Sequence, residues 1–445
     1  LHDKLKLATQ IYIDEPDAAH GLCVEILNDE PNNVFALFLI GSIYSSAERY
    51  GLAHAMFSRV CEIEPKRFEA WSNLGMVLSG MGKNVESRAA FNRALTLKKT
   101  AGVYGNLALS FSEEGERHRA IEYANKGLAL EPNHVGCKST LAFANLGLGN
   151  WAEGWSDYRF TLGGKFRKVV SYGDEPLWNG DKGKKVIFYG EQGLGDEIMY
   201  ASCIPDAIND CKQVVIDCDS RLEGLFSRSF PQAEVHGTRR EDELEWDATA
   251  DASCPIGQLP YWYRKQPADC PAVPYLVADP ERVLQWKSLF KSYGKPVIGI
   301  CWSGGSKHNY PKRRHMGLEA FRPLIQAVDA VYVSLQYTDA TDEIAEAGLP
   351  VKEFLRATRT PDYDDTAGLV AALDYVVGIH TTVHHLAGAL GVPATIMVPA
   401  KSSWIYAQEK VHWYASKLHR QKSGEEWKST VERWVNDNPD FCRLR

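Results

Sequence analysis

The chain has 445 residues, 44% of them hydrophobic and 24% charged, with a formal net charge of -7. That composition belongs to a globular protein of two or three domains. The acidic balance argues against a general nucleic-acid or acidic-membrane binder, and no run approaches 18 apolar residues, so no membrane-spanning helix is expected. Ten cysteines are scattered along the chain without a Cys-x-x-Cys pair. Most sit in apolar runs, the pattern of free buried thiols in a reducing, cytoplasmic setting. The chain starts at Leu1 with no charged-then-apolar leader; a signal peptide is not expected, and the absent initiator Met suggests trimming.

Residues 1 to about 165 repeat. Pro31 and Pro65 lie 34 residues apart, and Pro132 lies 67 beyond Pro65, two further periods with one residue deleted. Gly41, Gly75, Ala108 and Ala142 keep the same phase. So do Ala53 with Phe57 and Ser87 with Phe91, while Ala120 with Ala124 is a weaker copy. A period of this length, with small residues where paired helices cross, resembles tetratricopeptide repeats. The resemblance implies roughly four repeats plus a final helix pair, the first repeat partial, stacked as an α-solenoid with a concave face. Trp151, Trp155 and Tyr158 in the last pair are expected to close the solenoid against the next domain.

After the turn-rich stretch Pro176 to Gly183, Lys185 to Gly190 reads as a buried strand. It runs into Gly193, Gly195 and Asp196, then a helix through about Asn209. The two glycines permit a tight turn with close backbone approach, although a lone Gly-x-Gly is a weak phosphate fingerprint. Val214–Ile216 and Ala233–His236 read as further strands, and the prolines from Pro255 onward as the irregular end of this half. Asp217 and Asp219 have an Asp-x-Asp spacing, but capping of the following helix is a sufficient role, so no metal site is assigned.

A connecting helix from Pro280 leads to a second half that opens with strand Val297–Trp302. The loop 303–315 is Gly-rich and strongly basic, carries Ser303, Lys307 and Arg314, and leads into a helix over Leu318–Val328. Strand Ala330–Leu335 is followed by Gln336, a candidate contact to a nucleoside. Asp365 is expected to cap a helix over Thr366–Leu373. Tyr375–Ile379 is a compact apolar run, fit for a parallel strand. Val383, Leu386, Ala387 and Leu390 then recur at helical spacing, Gly391 sits where the helix ends, and Pro393 prevents continuation. Between strand and helix lie His380, Thr381 and Thr382, at the carboxyl end of a strand. Open α/β sheets bind ligands there, and free N–H groups suit a phosphate. Simple N-capping by either threonine is the alternative. An aromatic stretch, Trp404–Tyr414, and a terminal helix, Glu425–Asn436, complete the chain.

Thr381, His385, Leu386, Leu390, Gly391 and Pro393 resemble the diphosphate-binding turn of GT-B glycosyltransferases of the lipopolysaccharide-heptosyltransferase family. His380 stands where those enzymes usually carry Asp. His380-Thr381-Thr382 is similar to the same turn in O-linked N-acetylglucosamine transferase, a GT-B enzyme joined to tetratricopeptide repeats. The resemblance implies an α + α/β fold class: a tetratricopeptide-repeat α-solenoid over 1–168, then a GT-B pair of Rossmann-like domains. The first, 169–285, would face the acceptor, and the second, 286–445, the nucleotide sugar. It also implies a metal-independent, inverting glycosyltransferase that moves a sugar from a nucleotide diphosphate donor to a protein or glycan acceptor, with no cofactor. Asp196 is the candidate base, with Glu197 the second choice, and Arg314 would meet charge on the departing diphosphate. Gly193, Gly195, Ser303, Lys307, Gln336, His380, Thr381, Thr382 and His385 complete the nucleotide-sugar set. By the same resemblance the terminal helix crosses back to the first half. Two other classes stay open: a non-catalytic scaffold with a degenerate sugar-nucleotide fold, which His380 favours, and a nucleotide-sugar epimerase.

Overall fold

The computed structural model describes residues 2–164, 167–239, 244–305 and 314–441. They form two units, Leu1–Asn145 and Leu146–Arg445. The first consists of helices packed in consecutive pairs: α1 (His2–Ile11) with α2 (Pro16–Asp29), α3 (Val34–Ser46) with α4 (Tyr50–Ile63), α5 (Phe68–Gly80) with α6 (Asn84–Leu97), and α7 (Ala101–Glu113) with α8 (Arg117–Leu128). A further helix, α9 (Val135–Leu148), begins the next repeat. This is the α-solenoid that the 34-residue period predicts.

Small residues set the helix crossings. A Cβ built on Gly75 would stand 2.6 Å from the Phe91 ring, and one on Gly41 would stand 3.0 Å from Phe57. In these two pairs glycine therefore lets the first helix lie against an aromatic ring of the second. The pairs also end their first helices alike. Glu48, Gly82 and Gly115 have φ of 56, 76 and 82°. The N–H groups of the next residues, Arg49, Lys83 and Glu116, reach back to the carbonyls of Tyr44, Leu78 and Phe111. That bond satisfies a carbonyl which the helix end would otherwise leave open.

The second unit opens with α10 (Trp151–Tyr158) and contains two all-parallel sheets. The first has β1 (Lys185–Tyr189), β2 (Gln213–Asp217), β3 (Glu234–His236) and β4 (Ala252–Pro255), in the order β3-β2-β1-β4. The second has β5 (Val297–Cys301), β6 (Val331–Ser334), β7 (Val351–Lys352), β8 (Tyr375–Ile379), β9 (Ala394–Val398) and β10 (Lys417–Arg420), in the order β10-β9-β8-β5-β6-β7. Apart from Lys185 at the start of β1, central strands β1, β5 and β8 are apolar throughout, as strands covered on both faces must be. The covering helices are α11 (Leu194–Tyr200), α12 (Ile204–Asp210), α13 (Glu223–Ser229), α14 (Pro260–Tyr263), α15 (Pro280–Lys291), α16 (Arg322–Ala327), α17 (Thr341–Ala347), α18 (Leu355–Thr358), α19 (Tyr363–Ala371), α20 (Thr382–Leu390) and α21 (Trp427–Asp437). The arrangement is generally Rossmann-like, as expected.

Several details differ from the sequence reading. The helix expected through Asn209 breaks at Ala201–Cys203 into α11 and α12, because Pro205 has no N–H to continue the ladder. β4 has no counterpart in the sequence reading and ends at Pro255, where the irregular end was expected to begin; it is short and holds Ser253, Cys254 and Pro255, weak strand formers whose place comes from pairing beside β1. Asp362, not Asp365, caps α19, by accepting from the Asp364 N–H; Asp365 instead pairs with Arg282 at 2.6 Å. The terminal helix α21 does not cross to the first sheet. Val431, Trp434 and Val435 enter the core of the second sheet beside Phe321 and Leu324. Trp151, Trp155 and Tyr158 are buried. Trp151 stacks on Trp413, and Trp155 meets Trp404 and Tyr200 edge-on.

Candidate functional site

The carboxyl ends of β1, β5 and β8 converge, and most of the residues singled out by sequence meet there. Turn 190–193 leaves β1 and starts α11. Asp196 sits in the first turn of α11 and accepts from the Gly193 N–H at 3.2 Å. Burial pushes its carboxyl up to about 6, while that hydrogen bond and the nearby Arg314 pull it down. The N-termini of α11 and α20 are in direct contact. A Cβ on Gly195 would stand 3.1 Å from the Thr382 hydroxyl and 3.3 Å from the His385 ring.

Thr381 is the N-cap residue of α20 but its side chain makes no capping bond. Its hydroxyl lies 3.6 Å from the Cys301 thiol, and its methyl packs on Gly304. Three buried histidines flank this N-cap, His380 before it and His384 and His385 in the first turn of α20. Burial is the first cause that lowers all three: His380 well below the ordinary value, His384 to about 4, His385 to about 3. The Arg314 charge adds to the effect on His380 and His385, which places the guanidinium in the same cluster.

Both ring nitrogens of His385 are engaged. Nε2 is 3.2 Å from the Tyr406 hydroxyl and Nδ1 is 3.1 Å from the Tyr414 hydroxyl. Tyr275 donates to the Ile198 carbonyl at 2.7 Å and its hydroxyl stands 3.4 Å from that of Tyr414. A neutral imidazole has one donor and one acceptor nitrogen, so of Tyr406 and Tyr414 one donates to the ring and the other accepts from it.

Ser303 and Gln336 satisfy each other. Gln336 is buried; its amide nitrogen donates to the Ser303 hydroxyl and its oxygen accepts from the Trp302 N–H at 3.2 Å. Lys307 lies outside the described residues. Asp217 and Asp219 do not share a site. Asp217 accepts from the Tyr172 hydroxyl at 2.6 Å and from Thr238. Asp219 caps the following turn and pairs with Arg221 and Arg239. Among the described residues no group of three or more His, Cys, Asp or Glu is arranged to hold a metal ion.

Sequence reasoning passed over the ion pairs that brace this region. Arg167 and Glu191 form a buried pair at 2.9 Å. Arg239 contacts Glu197 and holds Asp219 and the Gln192 carbonyl. Their partners are distant in sequence and follow no short spacing, so no motif announces them. The aromatic density of 404–414 did signal Tyr406 and Tyr414, but not that they would point at His385.

The sequence model of the tetratricopeptide repeat matches residues 68–100 and 101–134. Protein FlbA of Caulobacter vibrioides is 30% identical over 413 residues, which cover 85% of this chain and 68% of that protein. Among solved structures, PilW, a type IV pilus biogenesis factor, is 23% identical over 36% of this chain and 74% of its own, with a TM-score of 0.34. MamA from Desulfovibrio magneticus RS-1 is 21% identical over 36% of this chain and 91% of its own, with a TM-score of 0.31.

These findings correct the glycosyltransferase reading. Protein FlbA, a relative that covers 85% of the chain, is neither a heptosyltransferase nor an O-linked N-acetylglucosamine transferase by name, and the matching family model is that of the repeat. The resemblance to GT-B glycosyltransferases, and the sugar-transfer activity it implied, are overturned on that ground. The misleading motif has a physical origin. A threonine at a helix start, small residues along the helix and a Gly-x-Pro stop are what any tightly packed parallel strand–helix–strand unit calls for. What stands is a tetratricopeptide-repeat domain of the kind that serves protein–protein interaction. Among the described residues no helix is long and apolar enough to cross a membrane.

Proposed function

Since the chain belongs to the family of protein FlbA, we propose that it is a non-catalytic binding protein whose repeats hold a protein partner. One observation carries the proposal. The consecutive repeats 68–100 and 101–134 present Met76 and Leu109 at the same repeat position, each following the small residue at the helix crossing. These side chains are 42% and 47% exposed, whereas their neighbours Val77 and Ala108 are fully buried. A stack of such repeats offers a continuous surface built from equivalent positions, the usual way a solenoid engages a partner. The test is site-specific photocrosslinking in the native host. A crosslinker at position 76 or 109 should capture one discrete partner, while one at Glu86, on the second helix, should not. Absence of a discrete adduct at both positions, or equal capture from position 86, would count against the reading.

The three-part division 1–168, 169–285 and 286–445 remains our working proposal for domain boundaries, with no cofactor required. A reducing, cytoplasmic setting is proposed as well, supported by nine free cysteines among the described residues.

A further inference from the structure

The loop between β9 and β10 is long and has only one short turn of helix, Trp404–Tyr406. Its residues nevertheless seal the cluster at the start of α20. Tyr406 is buried, with its hydroxyl on His385 and its ring 5.1 Å from that of His380. Tyr414, also buried, takes the other nitrogen of His385 and lies against Gly388. The segment supplies its own side chains where the carboxyl ends of the strands would otherwise open.

We propose that residues 400–416 are a displaceable strap that closes this site from within the same chain. Three observations support displacement rather than permanent packing. The first is the anchoring. One side chain from the sheet, Arg420, holds three points of the strap: the Ser402 hydroxyl and the carbonyls of Tyr406 and Gln408. That guanidinium is the hold on the strap's backbone carbonyls at 406 and 408; the side chains of this half are held separately, Trp404 edge-on to Trp155, Tyr406 on His385 and Gln408 on the Leu146 carbonyl. The second is incomplete polar satisfaction. Trp413 Nε1 and Ser416 Oγ on the strap, and His380 Nδ1 beneath it, are buried with no hydrogen-bond partner. A buried polar group left unpaired raises the energy of the closed state, so the strap lies in a shallower well than its burial alone implies. The third is room to move. A cleft of about 710 Å³ separates the strap's second half, from Lys410 to Ser416, from the stretch Gln266–Ala272. The far wall of that cleft holds Ala272 at φ 51°, a left-handed conformation that a residue with a Cβ rarely adopts. Strain and void therefore sit together beside the segment.

The inference concerns the second unit and does not depend on what the repeats bind. Hydrogen–deuterium exchange of the full chain, read by mass spectrometry, tests it. Strap amides are expected to exchange at least tenfold faster than those of β9 and α20. Arg420→Gln should speed the strap further, by threefold or more, while β9 and α20 keep their protection. In the same variant diethyl pyrocarbonate should modify His385 faster than in the unaltered protein. Tyr406→Phe, which keeps the ring and removes one hydroxyl, should raise strap exchange alone. Strap amides as protected as those of α20 in all three proteins would overturn the proposal. So would variants in which strap, β9 and α20 lose protection together.

Discussion

Glu48 stands where later repeats carry glycine. It ends α3 with φ 56°, and Gly82, Gly115 and Gly149 hold the same place with φ between 76 and 89°. The backbone bonds match as well: Glu48 N–H to Ser45 at 3.1 Å, Gly82 N–H to Ser79 at 2.8 Å, and Gly115 N–H to Ser112 at 3.0 Å. The turn thus imposes one conformation whatever the side chain. A residue with a Cβ held there costs roughly 1–2 kcal/mol through contact with its own carbonyl. Glycine loses about 0.4–1 kcal/mol more conformational freedom on folding. The difference leaves Glu48→Gly more stable by about 0.5–1 kcal/mol. Urea unfolding followed by far-ultraviolet circular dichroism would show a raised midpoint at unchanged slope. The reciprocal change, Gly82→Glu, should lower the midpoint by a similar amount. If Glu48→Gly is neutral or destabilising while Gly82→Glu is harmless, the turn does not carry the strain assigned to it.

Other outcomes follow from the packing and from the buried charges. Gly75→Ala forces a methyl into the Phe91 ring and should cost about 1–3 kcal/mol, measured in the same urea experiment. Arg228 donates two bonds to the buried Asp364, at 2.9 and 2.8 Å; Arg228→Met leaves that carboxylate without them and should cost about 2–3 kcal/mol in the second unit, read by tryptophan fluorescence. The pH dependence has a definite sign. Folded-state values of His384 and His385 are depressed to about 4 and about 3, below the ordinary 6.5, so the unfolded chain binds the extra protons. The contribution of neutral histidines is complete above pH 6.5 and is lost as pH falls toward those folded values. The second unit should therefore lose tryptophan signal in acid before the repeat helices lose ellipticity, and His385→Gln should flatten the slope. Simultaneous loss at every pH would contradict this.

Periodic and local features were legible in the sequence. The repeats declared themselves through Gly41, Gly75 and the spaced prolines, because the same helix crossing must be solved in each pair. β1, β5 and β8 were legible because a strand covered on both faces must be apolar throughout. Gly391 and Pro393 marked the end of α20 correctly, with Gly391 at φ 79°. What escaped depends on contacts between distant segments. β4 is made a strand by its neighbour β1, not by Ser253 and Cys254. β10 is a polar edge strand whose Lys417, His419 and Arg420 look like loop until β9 pairs with it. At the candidate site, the clustering of Asp196, Arg314, His380 and His385 was visible from their places at strand ends. The two tyrosines that saturate His385 were not, since nothing in their spacing shows how the loop folds back. The family assignment failed for a related reason: the motif reports strand–helix packing, which many proteins share.

The central claim is that this chain binds a partner and turns over no sugar donor. The most direct test is nucleotide release from a panel of nucleotide sugars, in the presence of the partner captured at positions 76 and 109. The account predicts release no faster than in buffer, with the partner remaining bound. Donor-dependent release that scales with protein concentration and yields a glycosylated partner would contradict it.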